Sequence, residues 1–425
     1  MKRRLGVIVV LIALIFGQSG YVSALSEPEL EASAAIIYCE NTDEIIFKKD
    51  IDTPYDPYSI TKVLTAYIVS QNISDFSKTV IISEEAAAIG GSTMDLTAGE
   101  ELTIEQLMYG MMLPSGNDAS YALAETVAGD EDAFVDIMNE IAEKHGCQNT
   151  HFQNSYGWQS SEHYTSARDY LVLTRLALSD PRVYEIVTSK KYYVPETEYH
   201  EERILRNHVP LINVADSGVI GGKTGFWSDY DCSAIIRYEK KGLGLTMVLL
   251  NDTTDERRKD ISKMLSYAEQ RVVGFEAVVQ GDEGETVRIR HSANINAKTE
   301  AAKTAYAYPA SGDENDIITK TVFKKDLEAP MNAGDEVGLI EVYANDKLAA
   351  TVPIVLKEDV RVGWFPSYWY ISNAMTLVIA LALFLLIVLV LMLWMKKRNR
   401  QRRLRRQRME RLERLEQMER TERKR

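Results

Sequence analysis

Three short patterns in the sequence bring a hydroxyl together with an amine or an amide. Ser59-Ile60-Thr61-Lys62 sets a lysine three residues after a serine, and no other serine in the chain has that partner. On a helix, positions three apart share a face. Pro57 just ahead suits a helix start, where burial and the helix dipole would both disfavour the charge on Lys62. A neutral amine beside a serine hydroxyl can act as its general base and turn the serine into a nucleophile. Alone this is a weak signal, because a capped helix with a surface lysine reads the same way.

Two further patterns raise its weight. Ser115-Gly116-Asn117 lies in a loop between helical segments. The Ser-x-Asn spacing also occurs at Ser70 and Ser292. Ser70, however, shares the helix of Ser59, and Ser292 falls in a later β-rich region, so Ser115 alone has the order and context to face Ser59. Lys223-Thr224-Gly225 is the single Lys-Thr-Gly in the chain; it follows Gly221-Gly222 and enters a strand. An edge strand with a cation and a hydroxyl, then a glycine, lets a peptide approach the backbone and offers partners to an anionic group. A Gly-rich strand entry is the plainer reading of Lys223-Thr224-Gly225, and an ordinary turn that of Ser115.

The elements that must position these residues follow from periodicity. Residues 34–38 read as a strand, with a turn at Asn41-Thr42-Asp43-Glu44 leading into a second strand at Ile45. Residues 59–69, 104–145 and 165–188 read as helices. Residues 234–238 and 243–250 read as buried strands around a Lys-Lys-Gly turn, and 255–272 as a closing helix. Strands at both ends flanking a helical middle predict an α/β fold whose early and late strands share one sheet. Beyond residue 275 the pattern changes to short alternating runs at 286–290, 317–323, 337–343 and 348–356, which predict a small all-β domain over 276–358. No internal repeat is visible.

Composition and charge bound the rest. The chain has 425 residues, 45% hydrophobic and 26% charged, enough for two or three domains and unlike a disordered chain. Its net charge of −13 is uneven. Residues 396–425 are strongly basic, as are Lys2, Arg3 and Arg4, so the body between is markedly acidic. That argues against nucleic acid as the partner of the main fold. Residues 1–24 read as a signal peptide, with a basic start, an apolar run from Leu5 to Phe16 and Val22-Ser23-Ala24 as the cleavage pattern; a retained anchor is the alternative. Residues 375–395 carry no charge and would span about 31 Å as a helix, the thickness of a bilayer core. Trp364, Phe365, Tyr368, Trp369 and Tyr370 precede this run as an interfacial belt, and Lys396, Lys397 and Arg398 follow it at once. The expected topology is an extracytoplasmic body, a linker at 359–374, one span held in membrane lipid, and a basic cytoplasmic tail at 396–425. The cysteines are Cys39, Cys147 and Cys232, an odd count that leaves at least one thiol unpaired. No Cys–His or His–His spacing suggests a metal site, and no cofactor is implied.

Ser-x-x-Lys, Ser-x-Asn and Lys-Thr-Gly in that order form a serine-acylation set. With Gly90-Gly91-Ser92-Thr93-Met94, Leu113 to Gly129, Asn149-Thr150-His151-Phe152, Thr165-Ser166-Ala167-Arg168-Asp169 and Gly221 to Phe226, the chain resembles the low-molecular-mass penicillin-binding proteins that act as D-alanyl-D-alanine carboxypeptidases, over residues 30–275. The resemblance implies a β-lactamase/transpeptidase-like domain, an antiparallel sheet with helices, over 25–275, and it extends to the β domain. It implies that Ser59 is the nucleophile, that Lys62 takes its proton, and that Ser115 relays a proton between the amine and the leaving group. It gives Asn117 and Lys223 the orientation of substrate, Lys223 and Thr224 the terminal carboxylate, Gly225 the close backbone approach, and the N–H groups of Ser59 and Phe226 the oxyanion hole. The implied partners are a peptidoglycan stem peptide ending in D-Ala-D-Ala and β-lactam antibiotics as acylating inhibitors. Two positions depart from the family: Tyr58 stands where alanine is common, and Asn154-Ser155-Tyr156-Gly157 where Asn-Pro-His-Gly is common. A class A β-lactamase shares the three patterns but usually has Asp at the position of Gly116 and lacks a β domain and a span. A slow-turnover β-lactam sensor or wall-binding anchor is a further alternative.

Overall fold

Ala34–Cys39 (β1) is buried along its whole length. Its residues serve two cores: Ala34, Ile36 and Tyr38 join one, while Ala35, Ile37 and Cys39 join the other. A strand with both faces covered needs an unbroken apolar run, and Ala-Ala-Ile-Ile-Tyr-Cys supplies it. The computed structural model describes residues 25–369 and 371–422. The leader expected at residues 1–24 and the belt residue Tyr370 lie outside the described residues.

β1 pairs with Glu44–Lys49 (β2) through a tight turn with Asp43 at positive φ. Its other edge pairs antiparallel with a strand from far down the chain, Ala34 opposite Leu250 and Cys39 opposite Leu245. That strand, Leu243–Asp252 (β5), closes a meander with Val219–Ser228 (β3) and Asp231–Lys240 (β4). The sheet order is β2-β1-β5-β4-β3, so early and late strands share one antiparallel sheet and β3 is an edge.

Helices cover both faces. On one side Lys62–Asn72 (α1) is buried nearly all round, so it forms the middle of the helical layer. Around it lie Ile104–Met112 (α2), Asn117–Ala128 (α3), Glu131–Lys144 (α4), Ala167–Leu178 (α5) and Pro181–Thr188 (α6). Their starts are chemically marked. Thr103 and Gln106 form a capping box on α2, Ser166 caps α5, and Asp180 caps α6 with Pro181 in its first turn. On the other side Thr254–Arg271 (α7), capped by Thr253, buries Ile261, Met264, Leu265 and Ala268 against the sheet. Each fully buried Leu or Ile contributes about 1.5–3 kcal/mol. Two ribbons escape the periodicity reading, Thr79–Ile81 with Glu101–Thr103 and Lys191–Val194 with Arg203–Arg206; strands of three or four residues leave too few alternations to read.

The chain divides into two compact units, the first built mainly of residues up to Ala277 and the second mainly of residues beyond it. The later region forms a four-stranded sheet of Thr299–Ala301 (β6), Ile317–Phe323 (β7), Glu336–Ala344 (β8) and Lys347–Leu356 (β9) in the order β6-β9-β8-β7. A small core of Val287, Ile289, Val337, Ile354, Leu356 and Val360 supports it. The last element, Asn373–Glu422 (α8), is a single helix whose apolar stretch is long enough to cross a membrane and is not buried against protein. Cys39, Cys147 and Cys232 are all buried free thiols.

Candidate active site

Tyr58–Thr61 forms one turn of 3-10 helix that runs straight into α1. Tyr58 has φ 52°, the left-handed region that a side chain enters at a cost of about 1–2 kcal/mol. The strain is held by neighbours that have no side chains. A Cβ on Gly157 would lie 1.9 Å from the Tyr58 carbonyl oxygen and 3.0 Å from the Ser59 nitrogen. A Cβ on Gly225 would lie 2.8 Å from both the Pro57 oxygen and the Tyr58 Cβ. Glycine at both positions lets the turn wedge between the 154–158 loop and strand β3. The Ser233 hydroxyl donates to the Pro57 carbonyl at 2.6 Å and fixes the entry from beneath. This locked turn presents Ser59 at the edge of the sheet.

Lys62, one turn on, is fully buried. Its Nζ lies 3.0 Å from Ser59 Oγ, 2.7 Å from Asn117 Oδ1 and 2.6 Å from the Tyr156 carbonyl. Two of these three neighbours can only accept. A neutral amine has two N–H bonds for them and one lone pair, which then faces the Ser59 hydroxyl. Burial pushes the Lys62 pKa well below the ordinary lysine value; the nearby Lys223 cation adds to this and Asp118 opposes it. The lone pair is therefore available to take a proton.

Asn117 opens α3 and its amide is spent on both sides, donating to the Gly90 carbonyl at 2.8 Å and accepting from Lys62. It ties the base to the Gly90–Gly91 loop. Next to it Asp118 accepts from the backbone N–H groups of Met94 and Leu96 and fixes that loop; burial raises its pKa. Ser115 has φ 71° and accepts from Lys223 Nζ at 2.8 Å. The expected relay serine thus sits against Lys223. That lysine is 2% exposed. Burial, aided by the Arg257 cation, lowers its pKa to about 7. Thr224 is half-buried beside it on β3, and Phe226 stands outward at 57% exposure. All eight residues singled out in the sequence meet at this junction of β3, the Ser59 turn and the start of α3.

Several groups that support the site lie outside the three sequence patterns. The Tyr156 carbonyl has no side-chain identity to read. Its loop is held from both flanks: the Ser155 carbonyl accepts from Thr65 and Ser120, and the Ser155 N–H donates to Glu131, whose carboxyl burial pushes up to about 6. Asn154 Oδ1 accepts from the Gly157 and Trp158 N–H groups. His163 is buried, its pKa lowered to about 3 by burial, so it is neutral. Its Nδ1 accepts from the Gln153 N–H, which leaves Nε2–H to donate to Thr61 Oγ1 at 3.0 Å. Arg257 on α7 reaches under β3 and donates to the Gly225 carbonyl at 3.0 Å.

A nucleophile, a deprotonated amine, a second serine and a cationic strand edge arranged this way suit acyl transfer from a peptide with a free carboxylate. Comparison with known proteins points the same way. A family model described as D-alanyl-D-alanine carboxypeptidase matches residues 21–254, and one described as penicillin-binding protein 5, C-terminal domain, matches residues 275–362. Among curated relatives, the D-alanyl-D-alanine carboxypeptidase DacF of Bacillus subtilis is 26% identical over 379 residues, 87% of this chain and 97% of that protein. The D-alanyl-D-alanine carboxypeptidase DacD of Escherichia coli is 27% identical over 382 residues, 85% of this chain and 96% of that one. The crystal structure of the D-alanyl-D-alanine carboxypeptidase DacD from Francisella tularensis superposes with a TM-score of 0.57 over 82% of this chain and 98% of that chain, at 24% identity, and so shares the fold. This chain belongs to the D-alanyl-D-alanine carboxypeptidase family, as a serine-type enzyme of the low-molecular-mass penicillin-binding proteins.

Proposed function

We propose that Ser59 removes the terminal D-alanine from peptidoglycan stem peptides by forming an acyl-enzyme. Ser59 Oγ attacks the carbonyl of the penultimate D-alanine while its proton passes to the lone pair of Lys62. The N–H groups of Ser59 and Phe226 stabilise the oxyanion; one such donor contributes roughly 10²–10³ in rate in a comparable hydrolase. The C–N bond breaks and the electron pair returns to nitrogen. Ser115 protonates the departing amine, since its oxygen already accepts from Lys223 and its own hydrogen is free for the cleft. The proton held by Lys62 replaces it, which restores a neutral amine to activate the water that hydrolyses the ester. Lys223 and Thr224 hold the terminal carboxylate, and Asn117 keeps Lys62 in place. A β-lactam would acylate Ser59 by the same attack. The observation that carries the reading is the triple contact of Lys62 with Ser59, Asn117 and the Tyr156 carbonyl.

The arrangement of the chain about the membrane belongs to the same proposal. Residues 1–24 direct export and are cleaved, 25–275 form the peptidase and 276–358 the β domain. Residues 359–374 link these to a single span at 375–395, with the basic tail at 396–425 in the cytoplasm. The charge-free run followed at once by Lys396, Lys397 and Arg398 supports that orientation.

Covalent labelling tests the assignment. A fluorescent penicillin should attach to Ser59, and the Ser59→Ala protein should stay folded and unlabelled. Labelling that survives in Ser59→Ala would sink it.

A further inference from the structure

The exposed aromatic residues at one end of the cleft have no role in the chemistry above. Trp158 and Trp227 meet edge to face, ring centroids 5.3 Å apart at 88°, and each is more than two-fifths exposed. They come from opposite walls. Trp158 follows Gly157, the residue packed on the Ser59 turn, and its ring lies over Gly91. Trp227 is on β3, two residues beyond Gly225, at the irregularity in the pairing with β4 between Phe226 and Ser228. Asn154 holds the Trp158 backbone at both ends, accepting from its N–H at 2.8 Å and donating to its carbonyl at 3.0 Å. The pair is thus fixed, yet open to solvent.

Carboxylates lie beside it. Gln159 donates to Asp56 at 3.4 Å, and Asp231 accepts from Ser228, the residue after Trp227. Burial raises the Asp56 pKa, and Asp231 acts on it as a like charge.

Direction along β3 says what meets this surface. If the substrate carboxylate rests at Lys223 and Thr224 and the scissile carbonyl at the Phe226 N–H, the peptide runs antiparallel to the strand, about 3.3 Å per residue. The residue that precedes D-Ala-D-Ala then arrives at Trp227. We propose that Trp158 and Trp227, with Asp56 and Asp231, form the subsite for the side chain of that residue and select one ending in a free, charged amine. The aromatic faces pack along an aliphatic stem and attract the ammonium, and the two carboxylates set the sign of the charge accepted.

The inference rests on the carboxypeptidase reading, so its test separates the two. The full-length protein is assayed with Nα-acetyl-L-Lys-D-Ala-D-Ala and with the Nα,Nε-diacetyl peptide, following D-alanine release. Fluorescent penicillin labelling, which needs Ser59 but no preceding residue, reports a folded cleft. The wild type should favour the free amine at least tenfold in kcat/KM. Trp158→Ala, Trp227→Ala and Asp231→Asn should each reduce that ratio toward one, and Trp227→Phe should keep part of it. Equal kcat/KM for the two peptides in the wild type would overturn the subsite while leaving the carboxypeptidase reading intact. A tenfold ratio that persists in variants still labelled by penicillin would overturn it too. Labelling with release of D-alanine from neither peptide would instead remove the reading on which the subsite rests, and the subsite with it.

Discussion

Gly157 is the position where a single methyl group should cost most. In Gly157→Ala the new Cβ would stand 1.9 Å from the Tyr58 oxygen and 2.3 Å from its carbonyl carbon. Both are backbone atoms, so no side chain can swing aside. Opening the shorter contact to about 3 Å, the nearest that real Cβ atoms come, requires roughly 1 Å of movement at the turn that carries Ser59. Overpacking of this kind costs about 1–3 kcal/mol. Alanine at φ +83° adds about 1–2 kcal/mol. A total near 3 kcal/mol should lower Tm by about 6–12 °C. Misplacing a nucleophile by about 1 Å should slow acylation about 100-fold. Gly129→Ala and Gly146→Ala supply the control. Both glycines have positive φ, 93° and 77°, but nothing lies within 4 Å of a Cβ there. These variants should lose only about 1–2 kcal/mol and keep the wild-type acylation rate. Thermal unfolding and stopped-flow labelling with a fluorescent penicillin measure both quantities. A Gly157→Ala protein that acylates as fast as Gly129→Ala would refute the claim that this contact positions Ser59.

Three other outcomes are expected from the same geometry. Lys223 has its pKa lowered to about 7, so it loses its proton as pH rises through that value; binding of an acyl-D-Ala-D-Ala peptide to the Ser59→Ala protein should weaken above pH 7, by at most tenfold per unit, and Lys223→Arg should flatten the profile, whereas a flat wild-type titration from pH 6 to 9 would remove Lys223 from carboxylate recognition. Amidating the terminal carboxylate should abolish most turnover, and an amide cleaved at an equal rate would mean that Lys223 and Thr224 serve another subsite. Truncation after Ser372 removes α8 and no residue of the Ser59 site, so the product should be recovered soluble with unchanged penicillin labelling; its retention in the membrane fraction after a high-salt wash would show a second anchor.

Three short patterns carry the chemistry expected of the chain. Ser-x-x-Lys, Ser-x-Asn and Lys-Thr-Gly single out the candidate reacting groups because their types are rare in that order, and apolar runs on β1 and β5 name a sheet buried on both faces. The uncharged run before Lys396 was legible for the same reason: composition over a long stretch resists local accident. What the sequence left open lies in contacts between distant positions. Lys62 is held by Asn117, 55 residues away, and by the Tyr156 carbonyl, 94 away. A carbonyl has no signature in the sequence, so the second of these could not be read. Nor could the reason for Gly157 and Gly225, which is the strained Tyr58 turn between them. Ser115 is the clearest case: its order in the chain set it to face Ser59, and packing put its hydroxyl against Lys223. Lysine charge is likewise a tertiary property. The same residue type is a solvated cation on the surface and, fully buried beside a second lysine, a base; only the fold supplies the desolvation that decides between them.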